Sequence, residues 1–197
     1  MKTQKTKIKS LTHFLFEVGT LRKLARSHRQ TLLTDDLSDS IAAHSYRVII
    51  IGYFLALEEK LDTGKVVKMC MTHDIGESRG GDQNWIHKKY VKVFEDEITK
   101  SQFSFLPKNA EITQIAKEYA ERKTPEAKTA KDADLLDQLL LLREYEWQGN
   151  REAASWLKNA NHDKMLFTKT ARKIAKELRR QNPSEWWDNL WTSKRRM

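Results

Sequence analysis

The sequence is poor in the residues that cross-link or break a chain. Cys70 is the single cysteine in 197 residues, so no intrachain disulfide can form, and its place in the apolar run VVKMCM marks it as a small buried hydrophobe. Seven glycines and three prolines, with no sustained apolar/polar alternation, leave strands and hairpins little support. Internal repeats, low-complexity tracts and convincing linkers are missing as well. The N-terminal MKTQKTKIKS is basic, but the LTHFLFEVGTLRKLARSHR after it carries charges throughout and lacks the long apolar stretch of a signal peptide or membrane span. These absences predict a cytoplasmic protein with no membrane span. At this length it forms one domain able to bury a true core, with that core at about 11–160 and basic, tryptophan-containing helices at about 161–197.

What the chain does have is positive charge and helical periodicity. Of its net charge of +9, residues 1–30 carry eight Lys/Arg against one acid and residues 164–197 carry ten against three, so the two ends bear +14 and residues 31–163 bear −5. A basic periphery around an acidic centre fits an anionic ligand drawn toward a site whose own carboxylates are neutralised by a cation. Nucleic-acid binding is the rival reading, and solvated lysine-rich helix faces the plain one.

Helical spacing covers residues 11–25 and DSIAAHSYRVIIIGYFLALEEK, where Asp39 and Ser40 are capping candidates and the helix runs to about Lys60. Thr63 is read as the cap of GKVVKMCMTHD, and a loop follows at 75–83. NWIHKKYVKVFEDEITKSQF and PKNAEITQIAKEYAER resume the spacing, and Thr124-Pro125 opens a long helix to about Trp147. Two or three shorter helices complete an all-α chain. In the terminal NPSEWWDNLWTSKRRM, Asn182-Pro183 starts a helix, and Trp187 and Trp191, four apart, form an apolar stripe. That stripe is expected to pack on the body or on a second subunit rather than on a membrane surface.

Polar residues interrupt the apolar pattern at a few places. His44 lies on a helix whose next turns, Val48, Ile49, Ile51 and Leu55, are core. MTHDIGESRGGD places the pair His73-Asp74 where the apolar helix VVKMC runs out. Asp134 shares a helix face with Ala127, Ala130, Asp137 and Leu141 by i,i+3 and i,i+4 spacing. Buried imidazoles and carboxylates need partners. Asp132 and Asp137 are read as helix-surface acids. Two histidine nitrogens and two carboxylates on three helices form a mixed N/O donor set suited to Mn, Fe, Co, Ni, Zn or Mg, with positions left for water and substrate.

The H…HD…D pattern of His44, His73-Asp74 and Asp134 resembles that of the HD-domain metal phosphohydrolases, and more closely the HD-domain 5'-deoxynucleotidase family. The pieces that carry this likeness are FLFEVGTLRKLAR, AHSYRV, HDIGESRGGD and KDADLLDQLLLLREYE, in order across roughly residues 11–147. The resemblance implies an all-α helical bundle with the metal site between core helices, and a homodimer. It implies that His44, His73, Asp74 and Asp134 ligate a divalent ion and that Glu77 is catalytic, orienting or deprotonating the attacking water or assisting the leaving oxygen. It further implies that Arg26 binds phosphate and that Asp82 reads the sugar hydroxyl. The chain departs from the family at Ala43, where an acid is common, and at Ser27-His28-Arg29, where a tryptophan is common; His28 and Arg29 are candidates for further phosphate contacts.

The function expected is hydrolysis of deoxynucleoside 5'-monophosphates. The alternatives are triphosphohydrolase action on a dNTP or hydrolysis of another phosphorylated nucleotide. A non-enzymatic reading, a helical nucleic-acid-binding protein with a structural metal, rests on the charge of the two ends.

Overall fold

The computed structural model describes residues 2–159 and 162–190. Twelve α-helices follow one another among them: α1 (Lys2–Val18), α2 (His28–Leu32), α3 (Ile41–Glu58), α4 (Thr63–Thr72), α5 (Glu77–Gly80), α6 (Trp85–Tyr90), α7 (Glu95–Phe103), α8 (Asn109–Glu121), α9 (Pro125–Trp147), α10 (Arg151–Asn159), α11 (His162–Met165) and α12 (Lys169–Leu178). Tight 3-10 turns cover Gly19–Lys23 and Glu185–Leu190. The extended backbone pairs only at one isolated bridge among the described residues, between Ala25 and Ser40.

The long helices begin where side chains satisfy their first free amides. Ser40 Oγ accepts from Ala43 N at 3.2 Å to open α3, and Thr124 Oγ1 does the same for Ala127 N ahead of Pro125 in α9. For α4 the cap is Asp62, whose carboxylate accepts from Lys65 N at 3.0 Å, and the expected cap Thr63 is the first helical residue. The stretch from Asn84 to Phe103 is two helices, because Val91 adopts extended angles (φ −117°, ψ 131°) and ends α6. The 75–83 segment is not all loop, since α5 makes a single turn inside it.

Helices α3, α4 and α9 pack on one another and form the centre of the bundle, with α8 against α4 and α9, α10 against α9 and α2, and α12 against α9 and α3. Val48, Leu55, Val66, Met69, Cys70, Leu136, Leu139 and Leu142 fill the space between them. The approach is closest at Gly52 of α3. A Cβ there would meet Cys70 Sγ of α4 at 2.5 Å and Ala133 Cβ of α9 at 3.6 Å, so only glycine lets these helices meet at this distance. A smaller cluster of Ile75, Phe103 and Leu106 with Leu11 and Phe14 seats the α5 turn on α1 and α7.

One surface expectation differs from what is found, and two further features of the surface stand out. Asp132, read as a surface acid, is fully buried: its two oxygens accept from Phe167 N at 2.8 Å and Thr168 N at 2.7 Å, fixing the start of α12. By length and apolarity alone α3 could cross a membrane, although it is the helix on which the bundle is built. Its outward face accounts for that apolarity, with Tyr46, Ile50, Tyr53, Phe54 and Leu57 exposed at helical spacing. In the terminal segment Trp187 is 40% exposed and meets Trp186 edge to face with ring centroids 4.9 Å apart. Trp191 lies outside the described residues.

Candidate metal centre

The three central helices bring the polar anomalies of the sequence to one point. His44 projects from α3, His73 and Asp74 follow the last turn of α4, and Asp134 projects from α9. His44 Nε2 lies 3.2 Å from His73 Nε2, 3.3 Å from an Asp74 oxygen and 3.4 Å from an Asp134 oxygen. The same Asp74 oxygen is 3.1 Å from His73 Nε2. One donor atom from each of His44, His73 and Asp134 falls within 4.8 Å of the other two.

The opposite nitrogen of each ring decides what this geometry means. His73 Nδ1 is 2.8 Å from the carbonyl of Cys70, which can only accept, so Nδ1 carries the hydrogen. His44 Nδ1 faces an Asp137 oxygen at 2.5 Å. Both lone pairs therefore reside on Nε2, and two such nitrogens 3.2 Å apart repel unless a positive charge stands between them. Without a metal ion that charge is a proton. Burial pushes the pKa of His44 down, but hydrogen bonds to Asp134, Asp137 and Asp74 outweigh it and raise the pKa to about 11. Burial pushes Asp74 and Asp134 up, yet His73 and His44 hold Asp74, and Lys131 and His44 hold Asp134, well below the usual carboxylate range. A divalent cation would replace the proton and neutralise both carboxylates, so the residues present fit such an ion.

A family model describing the HD domain matches residues 19–178. The chain belongs to the HD-domain family. It is 32% identical over 134 residues to 5'-deoxynucleotidase HDDC2 of Dictyostelium discoideum, covering 57% of this chain and 66% of that protein. The likeness to 5'-deoxynucleotidase HDDC2 of Xenopus laevis is 29% over 146 residues and 70% of each chain. The chain thus spans about two-thirds of the length of these relatives. Among solved structures, a conserved hypothetical protein from Pyrococcus furiosus superposes with a TM-score of 0.71 at 26% identity, over 86% of this chain and 99% of that one. A predicted metal-dependent phosphohydrolase from Magnetospirillum magnetotacticum MS-1 does so with 0.61 at 25%, over 89% and 96%.

Around the HD pair the structure gathers the remaining candidates. Glu77 opens α5, and its Oε2 is buried without a hydrogen-bond partner. Burial, and then the negative charges of Asp74 and Asp82, raise its pKa to about 9 against the pull of Arg26. A cation held by the neighbouring carboxylates and imidazoles would lower it again.

Arg26 is buried, not a surface cation. The bridge beside it, where Arg26 N donates to Asp39 O at 2.8 Å, ties its segment to the start of α3. Its Nε is 3.5 Å from an Asp82 oxygen and makes no hydrogen bond. That Asp82 oxygen accepts instead from Ser27 N at 2.6 Å and Ser27 Oγ at 2.9 Å, so Asp82 braces the Arg26 turn, while Asn84 caps the next helix. His28 meets Trp156 of α10 edge to face at 6.0 Å. Burial and the nearby Arg26 push its pKa down to about 4, so at neutral pH it offers a hydrogen bond but no charge to a phosphate.

Asp137, expected on the surface, is buried to 2% exposure as the partner of His44 Nδ1. The signal for it was its place on the helix face of Asp134, one turn on. A depression of about 450 Å³ beside α5, lined by Arg79, Val93, Phe94 and Ile98 among others, includes none of the ligand candidates.

Proposed function

We propose that this chain is a metal-dependent phosphohydrolase of the 5'-deoxynucleotidase type, cleaving deoxynucleoside 5'-monophosphates to deoxynucleoside and phosphate. The observation that carries the reading is the convergence of the Nε2 atoms of two imidazoles with two carboxylates, beside a buried guanidinium and a glutamate whose Oε2 is buried without a hydrogen-bond partner. The names of the relatives from Dictyostelium and Xenopus support the choice of substrate.

In this reading His44, His73, Asp74 and Asp134 hold the ion, which when bound withdraws charge from phosphoryl oxygens and acidifies water. Arg26 takes the phosphate charge, with Nε as its free donor. Glu77 accepts the proton of the attacking water and returns it to the leaving 5'-oxygen, a role for which a carboxyl with a raised pKa is suited. Asp82 turns its remaining oxygen to the sugar and rejects a ribose 2'-hydroxyl. A homodimer is supported by the outward face of α3. Its five exposed apolar side chains present on the order of 500 Å² per copy, and two copies reach the area at which specific interfaces begin.

Glu77→Gln tests the chemistry, because it keeps the shape of the side chain and removes the proton acceptor. With Mn, Co or Mg and a panel of nucleotides, phosphate release should fall by about 10²- to 10⁴-fold in kcat while metal content stays at the wild-type level. Near-normal turnover refutes the role, and lost metal moves Glu77 into the ligand set. Release of triphosphate from a dNTP in place of phosphate from the monophosphates would overturn the substrate assignment.

A further inference from the structure

We infer that Asp137, locked by Arg47, is the positioning residue that fixes the tautomer of His44 and so makes Nε2 the nitrogen offered to a metal ion. The inference rests on the reading of His44 as a ligand. Asp137 lies one helical turn beyond Asp134 on α9, and Arg47 one turn beyond His44 on α3, so the two helices that supply ligands also supply this pair.

Arg47 reaches across from α3 to α9 with three donors. Its Nε donates to Asp137 Oδ1 at 2.5 Å, one Nη to the Asp137 carbonyl at 3.3 Å, and the other to Glu144 Oε1 at 2.5 Å. With Oδ1 and the carbonyl taken, Oδ2 is the oxygen left to face His44 Nδ1, at 2.5 Å. A carboxylate gripped by a guanidinium has no hydrogen to give, so Nδ1 must be the donor and the ring lone pair falls on Nε2. His44 cannot escape by rotating, because its side chain is fully enclosed. Its neighbour His73 is held the same way by the main-chain carbonyl of Cys70, which no side-chain substitution removes. It therefore serves as an internal reference.

This arrangement makes an asparagine at position 137 unusually informative. Arg47 can only donate, so the single amide oxygen of Asp137→Asn turns to Arg47 and its NH₂ turns to His44. Nδ1 must then accept, the hydrogen moves to Nε2, and the nitrogen facing Asp74 and Asp134 has no lone pair for a metal. Adding Arg47→Met removes the demand on the amide oxygen. The asparagine can flip and again accept from His44 Nδ1.

The experiment measures Co(II) affinity of the full chain by titration, thermal unfolding of each variant, and the exchangeable, paramagnetically shifted imidazole N–H protons of the cobalt-loaded protein. Asp137→Asn should weaken cobalt binding by about 10- to 100-fold. It should also displace one of two such N–H signals and leave that of His73 in place. Arg47→Met/Asp137→Asn should recover part of the affinity although it is no more stable than the single variant. A purely structural clamp predicts the reverse: affinity that follows unfolding temperature, with the double variant worst, and that result overturns the inference. If His44→Ala loses cobalt while Asp137→Asn keeps it with both signals unchanged, the positioning role alone fails. If the wild-type chain takes up no cobalt, the metal reading fails and this inference with it.

Discussion

Replacing Gly52 with alanine probes how the bundle holds the centre together. In an exposed helix interior Gly→Ala stabilises by about 1 kcal/mol, because glycine forfeits more backbone entropy on folding. Here the new methyl carbon would stand 2.5 Å from Cys70 Sγ, about 1 Å inside ordinary contact, with Val66 at 3.4 Å and Ala133 at 3.6 Å. Packing extra carbon into a filled core costs about 1–3 kcal/mol, and a conflict of this depth belongs to the upper part of that range. The balance is a net loss of about 1–2 kcal/mol, or roughly 2–8 °C in Tm for a chain of this size.

The strain can be relieved by rotation of the Cys70 side chain or by movement of α3 away from α4. With the core filled around Cys70, the helix movement is the outlet we expect, and it would draw His44 away from His73. Gly52→Ala should therefore weaken metal binding as well as lower Tm in thermal unfolding. Gly52→Ala/Cys70→Ala removes the sulfur and should show a favourable coupling of about 1 kcal/mol or more, in the range found for residues in direct contact. A Gly52→Ala protein that is more stable than wild type, or a double variant that is merely additive, would refute the claim that contact at Gly52 sets the spacing of the ligand helices.

Chelation should lower Tm by about 5–11 °C relative to protein in a 100-fold excess of free ion over its Kd, since that excess contributes about 2.7 kcal/mol. Asp74→Ala should abolish the difference; a shift that survives would place the ion elsewhere. Asp82→Asn should narrow the ratio of kcat/KM between deoxyribose and ribose monophosphates, and an unchanged ratio removes Asp82 from sugar recognition. Phe54→Asp places a charge in the middle of the outward face of α3 and should convert a dimer to a monomer in sedimentation velocity without altering the fold. A wild-type chain that sediments as a monomer rules out that interface.

The residues proposed as ligands could be picked out because they are written in a local code. His44 and Asp134 stand out as polar residues at positions that a 3.6-residue period assigns to the interior, and His73-Asp74 stands out where an apolar helix stops. The caps at Ser40 and Thr124 were legible for the same reason, since each acts on an amide three residues away. The cap of α4 was misplaced by one residue because Asp62 and Thr63 both carry a suitable oxygen, and only the extended angles of Asp62 separate them.

What escaped is non-local. The break at Val91 reflects tertiary packing around α5, where Val93 comes so close to Gly80 that a Cβ on the glycine would lie 2.8 Å from it. The register of residues 91–94 is thereby fixed from outside their own stretch. Asp132 reads as a surface acid until the amides of Phe167 and Thr168, 35 and 36 residues on, are brought to it. Asp137 reads the same way until Arg47, 90 residues earlier, grips one of its oxygens. Helical period reports which side of a helix a residue occupies, and so whether a side chain is buried. Whether a buried carboxylate serves a metal, an amide or an imidazole is set by the donor it meets, and for Asp132 and Asp137 that donor comes from a distant part of the chain. A candidate ligand can thus be picked out from its own helix. The residue that aims the ligand can be recognised only once both helices are in place.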